Sequence, residues 1–216
     1  MDGDASIIWA EMMGGRAPLL TVLGGDDDIN GSKFEEILHG YAGDEVIRGL
    51  GGFDTIYGNS GNDWLYGGSG DDVLRGGNGN DYVNGDTGAD RLEGGQGHDH
   101  LHGGVGKDIL TGGIGKDYLD SDNGDDTMMG GAGEDRLFFF TFGGDNAGGA
   151  DVITDFEVGD TIFLGRVSRD DMVEVTQTGD DVVITLSDAA VTNSITPLDA
   201  LDAEVSAALT ISYVYY

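Results

Sequence analysis

A nine-residue period runs through more than half of the sequence and constrains the fold more than any other feature. From Val22 to Phe138 the chain divides into thirteen nonapeptides without insertion or deletion. Position four is glycine in twelve of them, with Phe34 as the exception, position six is acidic in all thirteen, and position eight is always aliphatic or methionine. A self-similar period of this kind indicates a solenoid, in which each repeat is one structural unit stacked on its neighbours.

The residue types within each nonapeptide predict its conformation. Positions seven to nine place one apolar side chain between two outward ones, which suits a short strand with a single buried face. Positions one to six are predicted to turn, because their glycines permit positive φ and let stacked turns approach closely. Each turn reverses the chain, so two nonapeptides form one coil and alternate strands stack in parallel. We therefore predict an all-β fold, a right-handed parallel β-roll with two sheets facing each other across one thin apolar layer.

Acidic side chains at position six recur on the same edge of this roll once per coil and form two columns. The first column contains Asp27, Glu45, Asp63, Asp81, Asp99, Asp117 and Asp135, and the second contains Glu36, Asp54, Asp72, Asp90, Asp108 and Asp126. Unneutralised carboxylates about 5 Å apart repel each other by about 1 kcal/mol per pair even in water. A divalent cation held by carboxylates and turn carbonyls removes this repulsion, and all-oxygen ligands favour Ca²⁺ over Mg²⁺ or Zn²⁺.

Several nonapeptides match a known calcium-binding repeat residue by residue. The stretches "GGSGDDVLR", "GGNGNDYVN" and "GGQGHDHLH" follow the pattern G-G-x-G-x-D-x-U-x, where U is aliphatic. Residues 22–138 thus resemble the β-roll of RTX proteins. The resemblance implies that the position-six aspartates and carbonyls of the glycine turns are calcium ligands. Because Glu36 and Glu45 replace aspartate, we expect weaker calcium occupancy at the first repeats.

The period breaks after Phe138 and then returns once. Seven residues, "FFTFGGD", separate the roll from a further repeat, "NAGGADVIT", in which Asp151 stands at position six. We therefore add Asp151 to the predicted calcium ligands. The continuation "DVITDFEVGDTIFL" resembles the segment that ends the roll in serralysin-type proteases and related secreted RTX proteins.

The C-terminal third predicts a β-rich cap that contains a short helix. The stretch "MVEVTQTGDDVVITL" predicts a hairpin that turns near Gly179 and Asp180. The stretch "TPLDALDAEVSAAL" predicts a helix that begins at Thr196 and Pro197. The predicted organisation is an N-terminal cap at residues 1–21, the roll at residues 22–138, and a C-terminal capping and secretion region at residues 139–216.

The charge and composition of the chain restrict which binding partners and which location it can have. With 41 acidic residues against 10 basic ones, the net charge of −31 disfavours nucleic acid and anionic membranes and favours cations. No apolar run is long enough to cross a bilayer, and the N-terminus lacks the features of a Sec signal. The final "TISYVYY" resembles the uncleaved C-terminal address of type I secretion substrates. We expect the C-terminal part of a larger secreted bacterial protein, exported by type I machinery and folded by extracellular calcium.

No catalytic motif stands out from this pattern. The sequence contains neither His-Glu-x-x-His nor Gly-x-Ser-x-Gly, and a periodic set of calcium ligands explains the aspartates better than a carboxylate pair of a glycosidase does. We expect no enzymatic activity from this chain.

Outward-facing rings leave a second function open. Position seven of four successive coils on one sheet holds Trp64, Tyr82, His100 and Tyr118, with Tyr66 beside them. These rings predict either a stabilising ladder or a polysaccharide-binding face resembling that of the calcium-binding modules of alginate epimerases.

Two further interpretations concern the histidines and the threonines. In "HDHLH", His100 and His102 both point outward and predict either a transition-metal pair or ordinary surface residues. An ice-binding surface needs a regular threonine array, and its candidates are too scattered: Thr55, Thr111 and Thr127.

Overall fold

The described part of the chain is built entirely from β-strands and turns. The computed structural model describes residues 6–8, 20–21, 24–140, 150–156, 159–165, 171–178, 181–188 and 211–214. The first ten strands are β1 Ser6–Ile8, β2 Leu20–Thr21, β3 Asp28–Asn30, β4 Ile37–Ala42, β5 Val46–Gly51, β6 Thr55–Ser60, β7 Trp64–Ser69, β8 Val73–Asn78, β9 Tyr82–Thr87 and β10 Arg91–Gln96. The others are β11 His100–Val105, β12 Ile109–Gly115, β13 Tyr118–Asn123, β14 Thr127–Gly133, β15 Arg136–Phe140, β16 Ala150–Ile153, β17 Thr161–Gly165, β18 Asp171–Thr178, β19 Asp181–Asp188 and β20 Ile211–Val214.

From β1 to β18, successive strands alternate between two ten-stranded sheets. Sheet A has the order β1-β3-β5-β7-β9-β11-β13-β15-β17-β20, and sheet B has the order β18-β19-β16-β14-β12-β10-β8-β6-β4-β2. Neighbouring strands pair in parallel, except that β19 pairs antiparallel with both β16 and β18. The structure confirms the predicted parallel β-solenoid with two strands in each coil.

The strands are longer than the sequence pattern predicted. Strand β7 pairs with β9 from Trp64↔Tyr82 as far as Ser69↔Thr87, so the ladder covers positions seven to nine and continues into positions two and three of the next repeat. The prediction that positions one to six are all turn was wrong, and the bends fall at positions four to six. Identical turns stacked in register also pair their backbones, as the bond from Gly70 N to Thr87 O at 2.9 Å shows.

One apolar side chain per strand forms the core. The position-eight residues are at most 3% exposed and stack into one layer between the sheets: Ile29, Leu38, Ile47, Ile56, Leu65, Leu74, Val83, Leu92, Leu101, Leu110, Leu119, Met128 and Leu137. Ile153 and Ile162 continue that layer beyond the seven-residue break. A core only one residue deep buries little apolar area per coil, so hydrophobic burial stabilises the fold only modestly. The charge of the acidic edges therefore has a large effect on the free energy of unfolding.

Both ends of the solenoid carry additional strands. The predicted hairpin is confirmed, because β18 and β19 pair antiparallel at the end of sheet B. Strand β20 extends sheet A beside β17, and at the other end β1 and β2 each extend one sheet. The helix predicted from Thr196 lies outside the described residues, and no helix in the part that the structure does describe is long and apolar enough to span a membrane.

Candidate metal centre

A backbone-to-carboxylate ladder aligns the position-six side chains along each edge of the roll. In both columns the N–H of one member donates to a carboxylate oxygen of the next member, at 2.7–3.0 Å, from Glu36 and Glu45 onward. For example, Asp63 N donates to Asp81 Oδ1 at 2.9 Å. Each Oδ1 therefore accepts a hydrogen bond from the backbone of the preceding coil. This hydrogen bond also fixes the orientation of the carboxylate and hence the direction of Oδ2.

The second oxygen of most of these aspartates is buried and accepts no hydrogen bond from the residues that the structure describes. The residues in which Oδ2 has no partner among the described groups are Asp54, Asp63, Asp72, Asp81, Asp90, Asp99, Asp108, Asp117, Asp126 and Asp135. A buried acceptor without a donor is costly, and ten such acceptors in two lines are far outside the few that native proteins tolerate. The arrangement therefore favours a cationic partner for these oxygens.

Glycine at position one leaves room for that partner. A Cβ added at Gly67 would lie 2.6 Å from Asp72 Oδ2 and 2.8 Å from the carbonyl oxygen of Gly85 in the next coil. A Cβ added at Gly103 would lie 2.8 Å from Asp108 Oδ2. Carboxylate and carbonyl oxygens thus converge on spaces that a Cβ at Gly67 or Gly103 would partly fill. Donors of this kind fit Ca²⁺, which takes six to eight oxygen ligands.

Burial and mutual repulsion raise the pKa values of the columns. Burial is the main cause and raises the pKa of Asp81, Asp90 and Asp99 to about 7, while the bond from the preceding N–H opposes the shift. Neighbouring column carboxylates raise these three pKa values further. Because each raised pKa reflects a charge that lacks compensation, the columns favour binding of either protons or cations.

The two glutamates at the start of the columns differ from each other. Both carboxylate oxygens of Glu36 accept hydrogen bonds from Ser32, one from its N–H at 3.0 Å and the other from its hydroxyl. Glu45 is fully buried, and burial together with the Asp63 carboxyl raises its pKa to about 9. Glu36 therefore needs no cation, whereas Glu45 shares the electrostatic situation of the aspartates.

The columns extend beyond the seven-residue break. Asp126 N donates to Asp151 Oδ1 at 2.9 Å across a spacing of 25 residues, as the predicted return of the period requires. Asp135 N donates in the same way to Asp160 Oδ1 at 3.0 Å. Sequence reasoning missed Asp160, although Asp160 and Ile162 stand at positions six and eight of the next nonapeptide, because position four there is Val158 rather than glycine.

Ser121 is an exception among the position-one residues that lie beside the second column. It occupies position one, where most repeats have glycine, and it is 0% exposed with an Oγ that has no hydrogen-bond partner among the described groups. Its hydroxyl adds an oxygen to the edge that carries Asp126, and the sequence analysis did not identify it.

The rings predicted to align do lie on one face of sheet A. The register pairs Trp64 with Tyr82, Tyr82 with His100, and His100 with Tyr118. Ring stacking is less regular than this register: Trp64–Tyr82 and His100–Tyr118 stack at 4.9 and 5.2 Å between centroids, whereas Tyr82 contacts His102 at 5.3 Å. We call the whole set the aromatic face, and it contains Trp64, Tyr66, Tyr82, His100, His102, Tyr118, Phe138 and Phe163.

Comparison with known families gives one match. The family model of the RTX calcium-binding nonapeptide repeat (4 copies) matches residues 39–74, 66–101, 75–110 and 102–137. No curated protein matches the chain. The matched residues, 39–137, contain all ten of the aspartates named above, whose Oδ2 atoms have no hydrogen-bond partner among the described groups.

Proposed function

Residues 39–137 belong to the RTX calcium-binding nonapeptide repeats, and from this premise we propose that the chain is a calcium-binding module that folds when Ca²⁺ binds. The observation that carries the proposal is the double column of buried Oδ2 atoms that have no hydrogen-bond partner within the described ranges. Calcium bound between successive coils supplies the missing positive charge and crosslinks the coils through carboxylate and carbonyl oxygens. The carboxylates that would hold it are Asp54, Asp63, Asp72, Asp81, Asp90, Asp99, Asp108, Asp117, Asp126 and Asp135, with Asp27 and Asp151 at the ends.

Coupling between binding and folding follows from the geometry of the columns. Ligands eighteen residues apart in the chain become neighbours only in the folded stack. The unfolded chain therefore has no preformed site, and the free energy of calcium binding contributes directly to folding.

Export and location are the second part of the proposal. RTX repeats are typical of secreted proteins, and we propose secretion by type I machinery and action outside the cell as part of a larger secreted protein. Where free calcium is scarce, a net charge of −31 opposes compaction and keeps the chain loose enough for export. At millimolar extracellular calcium the columns fill and the roll forms.

The module itself is proposed to have no catalytic activity. Its buried aspartates are held by the backbone ladder at regular spacing, which suits repeated ion binding rather than a single reacting centre.

Circular dichroism during a calcium titration tests the proposal. Calcium-stripped protein should show little β signal at neutral pH, and the signal should grow cooperatively as Ca²⁺ is added. Mg²⁺ at equal concentration is the control and should be much less effective, because it demands octahedral geometry and keeps its water ligands. A full β spectrum in EGTA at neutral pH would contradict coupled folding.

Polysaccharide binding is the second candidate function. The aromatic face supports it, because Trp64 is 51% exposed and stacks on Tyr82 along the outside of sheet A. Exposed rings in a line offer flat apolar surfaces of the kind on which sugar rings stack. The same contacts also stabilise parallel strands, so the two roles require separate measurements.

A further inference from the structure

Three potential metal ligands that are not members of the position-six columns meet on the outer face of sheet A. His102 stands at position nine of its repeat, and Asp120 stands at the same position one coil further along, as the pairing His102↔Asp120 shows. Asp122 follows two residues later on β13. One ligand atom from each of these three residues lies within 4.8 Å of the others. The group combines one imidazole with two carboxylates.

Asp120 is the unusual member of this group. It is 5% exposed, and the only described hydrogen bond of its carboxylate is the one that Oδ1 accepts from Asp122 N at 3.3 Å. Its Oδ2 lies 3.7 Å from His102 Nδ1, which is too far for a hydrogen bond. No lysine or arginine forms an ion pair with Asp120 in the described residues. A buried carboxylate therefore points at an imidazole nitrogen without a cation to neutralise it.

The imidazole is held in place by its neighbours and is suited to act as a ligand. The His102 ring contacts Tyr82 at 5.3 Å and Tyr118 at 6.0 Å between centroids, so rings on both adjacent strands limit its rotation. The ring is therefore fixed beside Asp120, and an imidazole nitrogen is a common metal ligand.

We propose that His102, Asp120 and Asp122 form a binding site for one divalent first-row transition-metal ion, separate from the calcium columns. Two ligand atoms that each lie about 2.0–2.2 Å from one ion are roughly 3–4 Å apart, and the 3.7 Å between His102 Nδ1 and Asp120 Oδ2 falls in that range. A nitrogen donor beside two carboxylates selects Zn²⁺ or Co²⁺ over the oxygen-preferring Ca²⁺ that the columns require.

The spacing of His100 and His102 in the sequence suggested that these two histidines together bind a metal ion. The structure instead favours His102 with Asp120 and Asp122. The His100 ring stacks on Tyr118 at 5.2 Å, and the metal-ligand group contains His102 without His100. The two histidines therefore provide a matched comparison on the same strand, β11.

Binding of Co²⁺ to calcium-saturated protein tests the site. Saturating Ca²⁺ keeps the roll folded and blocks the columns, and equilibrium dialysis then counts the additional Co²⁺ while its visible absorption reports the ligands. The wild type should bind about one Co²⁺ per chain, and Zn²⁺ should displace it. His102→Phe keeps a ring between Tyr82 and Tyr118 but removes the nitrogen, and it should weaken Co²⁺ binding by at least about tenfold.

Two further variants separate a ligand effect from a folding effect. Asp122→Asn should weaken Co²⁺ binding comparably, and asparagine tolerates the positive φ of 62° at this position. His100→Phe should leave Co²⁺ binding unchanged. Circular dichroism in calcium must show all three variants folded. Unchanged affinity in folded His102→Phe, or equal losses in His100→Phe and His102→Phe, would overturn the assignment.

Discussion

The backbone N–H of Asp81 donates to Oδ1 of Asp99 at 2.8 Å, although the two residues are eighteen positions apart in the chain. The bond uses one oxygen of Asp99 and leaves Oδ2 buried without a hydrogen-bond partner in the part of the chain that the structure describes. The same relationship repeats along both edges of the roll, so the stacking that aligns the backbone also creates the demand for cations.

Loss of a carboxylate in the middle of a column should raise the calcium concentration needed for folding. Asp99→Ala removes a ligand and also leaves the N–H of Asp81 without its acceptor, which costs about 1–3 kcal/mol. Glu36→Ala is the matched control and should matter much less for calcium, because Ser32 already satisfies both oxygens of Glu36. Calcium titrations followed by circular dichroism give the midpoints, and equal shifts for the two variants would contradict the column arrangement.

Acidification should promote folding when calcium is absent. Burial raises the pKa of Asp81 and Asp99 to about 7 in the folded roll. The pKa of an aspartate in the unfolded chain is about 3.9. Between about pH 4 and pH 7 the folded state therefore binds more protons than the unfolded chain, and its stability falls as pH rises through 7. Calcium-stripped protein in metal-free buffer should gain β signal as pH is lowered from 8 to 5.

The double variant Asp81→Asn, Asp99→Asn provides the control for this pH dependence. Asparagine keeps an oxygen that can accept the backbone N–H but does not titrate. Its calcium-free β signal should depend less on pH than that of the wild type. The same pH profile in both proteins would show that other groups control acid folding.

A methyl group at position one should block an ion site without straining the backbone. Gly67→Ala would put its Cβ 2.6 Å from Asp72 Oδ2 and 2.8 Å from Gly85 O, and relieving such overlap costs about 1–3 kcal/mol. Ser69→Ala, an exposed change two residues away, is the control. Calorimetric calcium titration should show fewer or weaker ions bound by Gly67→Ala than by Ser69→Ala, and indistinguishable isotherms would refute the assignment of this space to calcium.

Replacing two rings of the aromatic face should distinguish its two possible roles. If Trp64 and Tyr82 form only a ladder, Trp64→Thr, Tyr82→Thr should lower the free energy of unfolding by about 1–2 kcal/mol, since these rings stack at 4.9 Å. If they bind polysaccharide, the folded double variant should lose retention in co-sedimentation while its calcium midpoint barely changes. Failure of the wild type to bind any tested polysaccharide would leave only the ladder.

Much of the fold and of the calcium columns could be predicted because a strict period converts sequence distance into spatial position. Once Leu65 and Val83 are known to stack, every residue at the same offset stacks with them, so Asp63 must lie beside Asp81. Where the period weakens, the prediction failed: position four at Val158 is not glycine, and Asp160 was missed although it completes the first column.

The sequence by itself determined the solenoid, the apolar layer and the two acidic edges, since these depend only on backbone stacking at a fixed repeat. The tertiary structure decided which outward side chains meet. Tyr82 contacts His102 rather than its register partner His100, and Asp120 and Asp122 approach the same histidine. These contacts depend on side-chain rotamers, which no repeating pattern specifies.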